Sequence, residues 1–490
     1  MKNYFGKNYL LILLLFVTLL KGVLWSFSVP LFQAPDEQAH YATIQAYALP
    51  KGYQPRSNDF QIDKLISHDI NTQNLSPELR NFLVSTDFER IRFRPDNQMI
   101  FKKNSRNGLN EASIRSGAFS RFVEKFPPWK VPYGSVYYAP MSWIENLLHN
   151  QSNMERFFAI RLFSVLLGTL LVLCSYFIFL EVFQDKTESA ILAGIVSFQP
   201  MLTFINSSVN VDPLLFLSFA IFLLGSVRIL KNKIGAFSLI CIIAGMTLGI
   251  LTKPPGYFMP VILPILALFY LFIYHGKKFA FLSGKKMFLG AFLFIAAAGG
   301  TAYAISRLYF PNILRTLSLV PKYLQFELKY QPSLERSLSY WGNFGWVDTN
   351  LSRFLIFSIW ILSILVTIGI VKYFLAAFFS KSQKNAEKDR VFFFQLLYFL
   401  IFVAGVSAMI HFVNLQFVNP NNVADQSGSI STQGRYFFPS LIPRLALMAF
   451  GFACLFPGIR RRYIFMLLLL GMVFLNTWSL LVLVIPRYYL

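Results

Sequence analysis

Acidic side chains are scarce in this chain: 23 Asp and Glu stand against 45 Lys and Arg, and charged residues of both signs make up only 14% of the sequence. So little charge cannot cover a soluble globule of this length, which excludes that class. Cysteine is rarer still. The three cysteines, Cys174, Cys241 and Cys454, all sit inside apolar runs, in neither a metal-ligand spacing nor a disulfide framework, and read as small core residues. Internal repeats and low-complexity linkers are also lacking, so one integral domain over 1–490 is the economical reading. The net charge of +22 invites a nucleic-acid partner, yet much of the surplus lies in short loops between apolar runs. There a positive-inside bias accounts for it without nucleic acid.

What is present is apolar: 55% of the residues are hydrophobic and 17% aromatic. Runs over 9–29, 157–183, 190–205, 213–229, 234–251, 257–274, 288–305, 354–379, 392–413, 437–456 and 464–484 predict about 11 transmembrane helices in an all-α polytopic membrane protein. A secretory signal peptide competes for the first run. Its length and Pro35 after Ala34 argue against cleavage, and Lys2 and Lys7 place the N-terminus in the cytoplasm. The basic loops then alternate correctly at nearly every crossing. Three extracytoplasmic loops result, over 30–155, 306–350 and 414–436. The first is large and carries two predicted helices, Pro35 to Leu49 and the amphipathic, aromatic Tyr133 to Leu148, which suits the membrane interface.

On this topology the informative polar residues share one side. They are Asp36 and Glu37 after the first run, Arg161 early in the second, Asn210 and Asp212, Lys253, the 341–349 stretch with Trp346 and Asp348, and Gln433, Arg435 and Tyr436. One external site at the membrane boundary requires such clustering.

The pieces PDEQAH (35–40), YYAP (137–140), NVDP (210–213), TKPP (252–255), GNFGWVDT (342–349) and QGRYFFP (433–439), with Arg161, resemble a bacterial family of predicted membrane proteins of unknown function placed among the GT-C glycosyltransferases. The resemblance covers nearly the whole chain. It departs where a proline is expected directly after Glu37 and where Ser352 and Arg353 follow the GWVDT piece, and neither departure touches a side chain assigned to chemistry. It implies a GT-C-like enzyme of the bacterial cytoplasmic membrane. Such an enzyme moves a monosaccharide from a polyprenyl-phosphate donor to a hydroxyl of a cell-envelope glycan or lipid-linked acceptor on the outer face.

The residues support that reaction on their own terms. An acceptor alcohol needs a carboxylate to take its proton, a contribution of about 10²- to 10⁴-fold, and inverting transfer needs one such base opposite the leaving group. Asp36 is the candidate base, with Glu37 orienting the acceptor or Asp36 itself; His40, one turn later, would tune or position Asp36. Two acids in a first helical turn also complement the helix dipole while facing water. The leaving phosphate calls for cations, with Arg435 first, Lys253 second and Arg161 third; each could equally anchor a span end. Asn210 and Asp212 could help bind the sugar or a divalent cation, while Asp212, immediately before Pro213, is also a good helix start. Trp346 and Asp348 could meet sugar or lipid, or belong to an aromatic belt. No metal-ligand pattern is recognisable, although Asp36 and Asp212 could share a divalent cation through their hard oxygens. Lys21, inside the first span, could snorkel or pair with Glu181 or another span. A lipid-linked saccharide flippase or transporter, and a non-catalytic envelope assembly protein, are the other classes carried.

Overall fold

A computed structural model describes residues 9–48, 134–279, 333–379, 386–417 and 433–490, with Pro321 and a few positions between 79 and 91. The described chain is helical apart from one short hairpin. In order its elements are α1 Tyr9–Ser28, α2 Glu37–Ala48, α3 Phe88–Ile91, α4 Ser135–Leu147, α5 Asn153–Phe183, α6 Lys186–Ser197, α7 Pro200–Asn206, α8 Asp212–Leu230, α9 Ala236–Thr252 and α10 Phe258–Phe279. There follow α11 Ser333–Trp341, β1 Asn343–Phe344, β2 Thr349–Asn350, α12 Arg353–Phe379, α13 Ala386–Phe417, α14 Leu441–Cys454, α15 Arg461–Trp478 and α16 Ile485–Tyr489. Short 3₁₀ turns at Pro254–Tyr257 and Gly434–Ser440 lead into α10 and α14.

Among the described residues eight helices are long and apolar enough to cross a membrane, or nine if one bent pair counts as a span. The protein is therefore a multi-pass membrane protein, and among the described residues eight straight spans stand where ten of the eleven expected runs fall. The run over 190–205 is not one helix: α6 and α7 meet at 69°, because Pro200 cannot continue the α6 ladder. The run over 234–251 forms α9, a shorter apolar helix of 17 residues. The run over 288–305 lies outside the described residues, as does much of the 30–155 loop.

Small residues let the spans cross closely, as helices in lipid require. A Cβ at Gly369 of α12 would stand 1.8 Å from the Gly451 carbonyl oxygen of α14, and one at Gly245 of α9 would stand 2.6 Å from the Phe222 nitrogen of α8. Lys21 of α1 does not pair with Glu181. It donates to the Ser197 carbonyl at the end of α6 and, at 2.9 Å, to Thr203 Oγ1 of α7. Its ammonium thus meets the carbonyl that the break leaves without a helical donor. Glu181, about 30 Å along α5 from Arg161, instead meets Arg228, Lys231 and Lys233.

Candidate functional site

The site is built where α1 ends. Arg161 of α5 is fully buried and donates to the carbonyls of Ser26 and Val29, both at 2.7 Å, and of Pro30 at 3.0 Å. Its Nε donates to Glu37 Oε1 at 2.9 Å and its Nη2 to Glu37 Oε2 at 2.6 Å. A guanidinium has five N–H donors, and all five are thereby used within the protein. Glu37, also fully buried, takes a third hydrogen bond from the Val209 backbone N–H at 2.8 Å. Arg161 is therefore not placed to bind a phosphate, against the third-ranked expectation. It is a positioning residue, and the dry fork-to-fork pairing explains why Arg fills this place.

Two further grips hold the connecting segment. Trp346 in the loop after β1 donates from Nε1 to the Phe32 carbonyl at 3.0 Å and packs edge-on against Phe88. Phe32 itself is buried among Tyr41, Phe82 and Phe157 with a φ of 61°. Asp348 pairs with Arg487 of α16 at 3.0 Å and accepts from Thr349 Oγ1, and Arg487 also reaches the Ile91 carbonyl. Trp346 and Asp348 thus carry architecture here rather than an open stacking face. Gly345, at φ 62°, is required by that turn, since a Cβ there would lie 2.3 Å from Asp348 Oδ1.

So fixed, the chain reaches Asp36 with φ 67°. Left-handed backbone in a residue other than glycine costs of order 1–3 kcal/mol and persists where the surroundings over-determine it. Asp36 is exposed between buried neighbours, with 53% of its side-chain surface accessible, and its Oδ2 lies 3.1 Å from Nη2 of Arg435. Arg435, in the 3₁₀ turn before α14, is 2% exposed; its Nε and Nη1 find no hydrogen-bond partner among the described residues. The Tyr436 ring stands between two cations, 5.6 Å from the Arg435 guanidinium and 5.4 Å from Lys253 Nζ.

Lys253, in the turn after α9, pairs with Asp212 at the start of α8 at 2.7 Å. Asn210 Oδ1 accepts from the Asp212 backbone N–H at 2.9 Å, an Asx-type turn that begins the helix. Asn210 therefore holds the turn that leads into α8, one residue ahead of the Val211 N-cap. His40 Nδ1 lies 2.6 Å from the Tyr138 hydroxyl. Burial first of all pushes its pKa down to about 4, with Lys253 and Arg435 adding to the depression and Asp36 and Asp212 opposing it. His40 is thus neutral at pH 7, a positioning group among four charges rather than a proton carrier. Gln433 caps the 3₁₀ turn through its backbone carbonyl, which accepts from the Tyr436 N–H.

The structure thus gathers Asp36, His40, Asp212, Lys253, Arg435 and Tyr436, and sets Glu37, Arg161, Trp346 and Asp348 beneath them as supports. The expected shared cation meets an obstacle: Asp36 and Asp212 each already face a basic side chain, and no group of three or more His, Cys, Asp or Glu that could hold a metal gathers among the described residues. Sequence reading missed Tyr138 as the partner of His40. It also missed the buried pair of Glu145 in α4 and Arg156 in α5, which meet at 2.5 Å with Tyr41 donating to the same carboxylate. The signal was the charged Glu145 in an otherwise apolar and aromatic helix.

A family model described as "Predicted membrane protein (DUF2142)" matches residues 19–443. The chain belongs to this family. No curated protein and no solved structure matches it. Every gathered residue of this DUF2142 protein falls inside the matched region, whereas α15 and α16, with Arg487, lie beyond it.

Proposed function

We propose that this protein is a GT-C-like glycosyltransferase that moves a monosaccharide from a polyprenyl-phosphate donor to a hydroxyl of an envelope glycan or lipid-linked acceptor. The observation that carries the reading is the Asp36–Arg435 pair: an exposed carboxylate on strained backbone, beside a buried guanidinium with two nitrogens still unpartnered among the described residues. A buried charged donor without an acceptor is costly. A phosphate supplies the missing oxygens, with Lys253 beside it.

Donor phosphate and Asp36 then compete for the same guanidinium, so donor binding frees the carboxylate. The acceptor hydroxyl attacks the anomeric carbon on the face opposite the phosphate. Its proton passes to Asp36 as the new C–O bond forms, and the old C–O bond breaks with its electron pair on the phosphate oxygen, where Arg435 and Lys253 meet the charge. The site lies on the extracytoplasmic face of the bacterial cytoplasmic membrane in this reading, following the charge alternation of the loops.

Purified protein given a radiolabelled polyprenyl-phosphate sugar and an envelope acceptor tests it. Asp36→Asn is expected to lower transfer about 10²- to 10⁴-fold with unchanged insertion and melting. Full activity in the variant removes Asp36 as base.

One observation favours a second reading, a flippase or transporter of a lipid-linked saccharide. The α6–α7 break with Lys21 at its corner resembles the discontinuous helices that line transport sites. Under that reading Lys21→Met stops vesicle uptake of the saccharide and leaves transfer chemistry alone.

A further inference from the structure

A chamber with a volume of about 490 Å³ is bounded by α11, α12, α13 and α14. That is the size of a small-molecule pocket. Its two ends differ in chemistry. At one end stand Arg444 in the first turn of α14, Tyr340 of α11 and His411 of α13. The Arg444 guanidinium covers the Tyr340 ring at 5.3 Å, and its Nη2 lies 3.4 Å from Ser407 Oγ. Its Nε, like the hydroxyl of the 7% exposed Tyr340, is buried without a hydrogen-bond partner among the described residues.

The rest of the wall is apolar in effect. Val366, Ile370, Val403, Leu447 and Met448 line it. The hydroxyls of Ser363, Thr367 and Ser407 hydrogen-bond to carbonyls one turn back on their own helices, which leaves mainly carbon facing the space. Trp360 Nε1 is likewise satisfied, by Ser337 Oγ at 2.8 Å. From Trp360 to Ile370 the wall runs about 15 Å along α12. No Asp or Glu lines the chamber among the described residues, so Arg444 meets no carboxylate there.

We propose that this chamber binds a lipid carrying a phosphate headgroup, with Arg444 and Tyr340 on the phosphate and one hydrocarbon chain along α12, α13 and α14. A half-buried arginine in a membrane helix, its Nε buried without a partner and no carboxylate facing it among the described residues, marks a ligand or ion site, and an apolar groove of this length takes a chain. Of the walling helices α12, α13 and α14 are membrane spans, so the molecules that reach the chamber sideways between them are lipids. Burial pushes the Tyr340 hydroxyl up to about 12, which keeps it a donor at neutral pH. The phosphate comes either from a bilayer phospholipid or from an isoprenoid phosphate, and the site stands whether or not the Asp36 cluster transfers sugar.

Native mass spectrometry of detergent-purified protein incubated with phosphatidylglycerol, a long-chain polyprenyl phosphate or diacylglycerol reads the site directly. At least one phosphate lipid is expected to be retained about tenfold better than diacylglycerol, and Arg444→Gln is expected to remove that preference, as loss of a charge-assisted hydrogen bond should. Phosphatidylglycerol retention identifies a bilayer lipid, and polyprenyl phosphate retention alone identifies an isoprenoid carrier. Equal retention of diacylglycerol, or a wild-type preference in Arg444→Gln, overturns the proposal. Should Arg444→Gln fail to fold, chain-brominated phosphatidylglycerol and polyprenyl phosphate added to the otherwise native protein must quench tryptophan fluorescence more than brominated diacylglycerol, by an increment lost in Trp360→Phe. Quenching without that increment also overturns it. Asp36→Asn, which tests sugar transfer, leaves lipid retention unchanged, so the two readings fail separately.

Discussion

Asp36 and Glu37 are neighbours in sequence and opposites in environment. Glu37 is sealed from solvent, its oxygens taken by Arg161 and the Val209 N–H, and Arg161 in turn spends every donor on it and on three carbonyls. Asp36 is half-exposed, and its arginine keeps two nitrogens without partners among the described residues. A saturated ion pair fixes geometry and has nothing left to offer a ligand. An unsaturated one, held by the first, retains both charge and bonding capacity. The contrast assigns support to the Glu37 pair and chemistry to the Asp36 pair.

The sharpest way to break the comparison is to remove one partner of each pair and compare stability. Arg161→Ala strands a buried carboxylate and three carbonyls, and is expected to cost about 3–5 kcal/mol, seen as lost expression or a much lower melting temperature in detergent. Arg435→Ala strands only an exposed Asp36, so its melting temperature should stay near the wild-type value. Equal losses in both variants would collapse the distinction.

His40 ties the comparison to pH. Its pKa is depressed to about 4 in the folded protein, below an unfolded value of about 6.5. Because the unfolded chain binds the proton more readily, the contribution is complete above about pH 6.5 and declines as pH falls toward 4. The loss is on the order of 3 kcal/mol over that window. Melting curves between pH 7.5 and 4.5 should show it, and His40→Gln should flatten the slope. A slope unchanged in that variant would place the titration elsewhere.

The donor side gives a smaller effect. Arg435→Gln keeps the bulk and removes the charge, and is expected to raise the KM for a polyprenyl-phosphate sugar by about 10- to 100-fold, the value of one or two charge-assisted hydrogen bonds. Lys253→Gln should do less, since Asp212 already holds that ammonium at 2.7 Å. The reverse ranking would move the phosphate to Lys253.

Much of this architecture was legible in the sequence because hydropathy is additive along a run: α1, α5, α8 and α12 coincide closely with apolar stretches. The bend at Pro200 was less so, since 190–205 reads as one apolar run, and the partners that hold the corner, Lys21 on Thr203 and Gln199 on the Tyr340 carbonyl, lie far away in sequence. The site showed the same division. The positions of Asp36, Arg435 and Lys253 on one side followed from counting crossings, but a charge does not announce its partner. Arg161 looked like a phosphate ligand because its type suits one. Its carbonyl partners at Ser26, Val29 and Pro30 carry no side-chain signature, and Trp346 binds a backbone oxygen for which the sequence has no mark.

The smallest effect concerns Asn210, a candidate sugar ligand by sequence that stands in the turn leading into α8. Its Oδ1 accepts from the Asp212 N–H, two residues on, and this turn places the Asp212 carboxylate against Lys253. Replacing it by Ala should cost about 0.5–1.5 kcal/mol, the usual value of one hydrogen bond, and should lower melting without changing which sugar donor is used. Asn210→Asp keeps the acceptor oxygen and should recover most of that loss, at the expense of a second negative charge beside Asp212. If Asn210→Asp restores melting while donor preference still changes, Asn210 touches the sugar as well, and the division between supporting and reacting residues would have to be redrawn one helix further into the bundle.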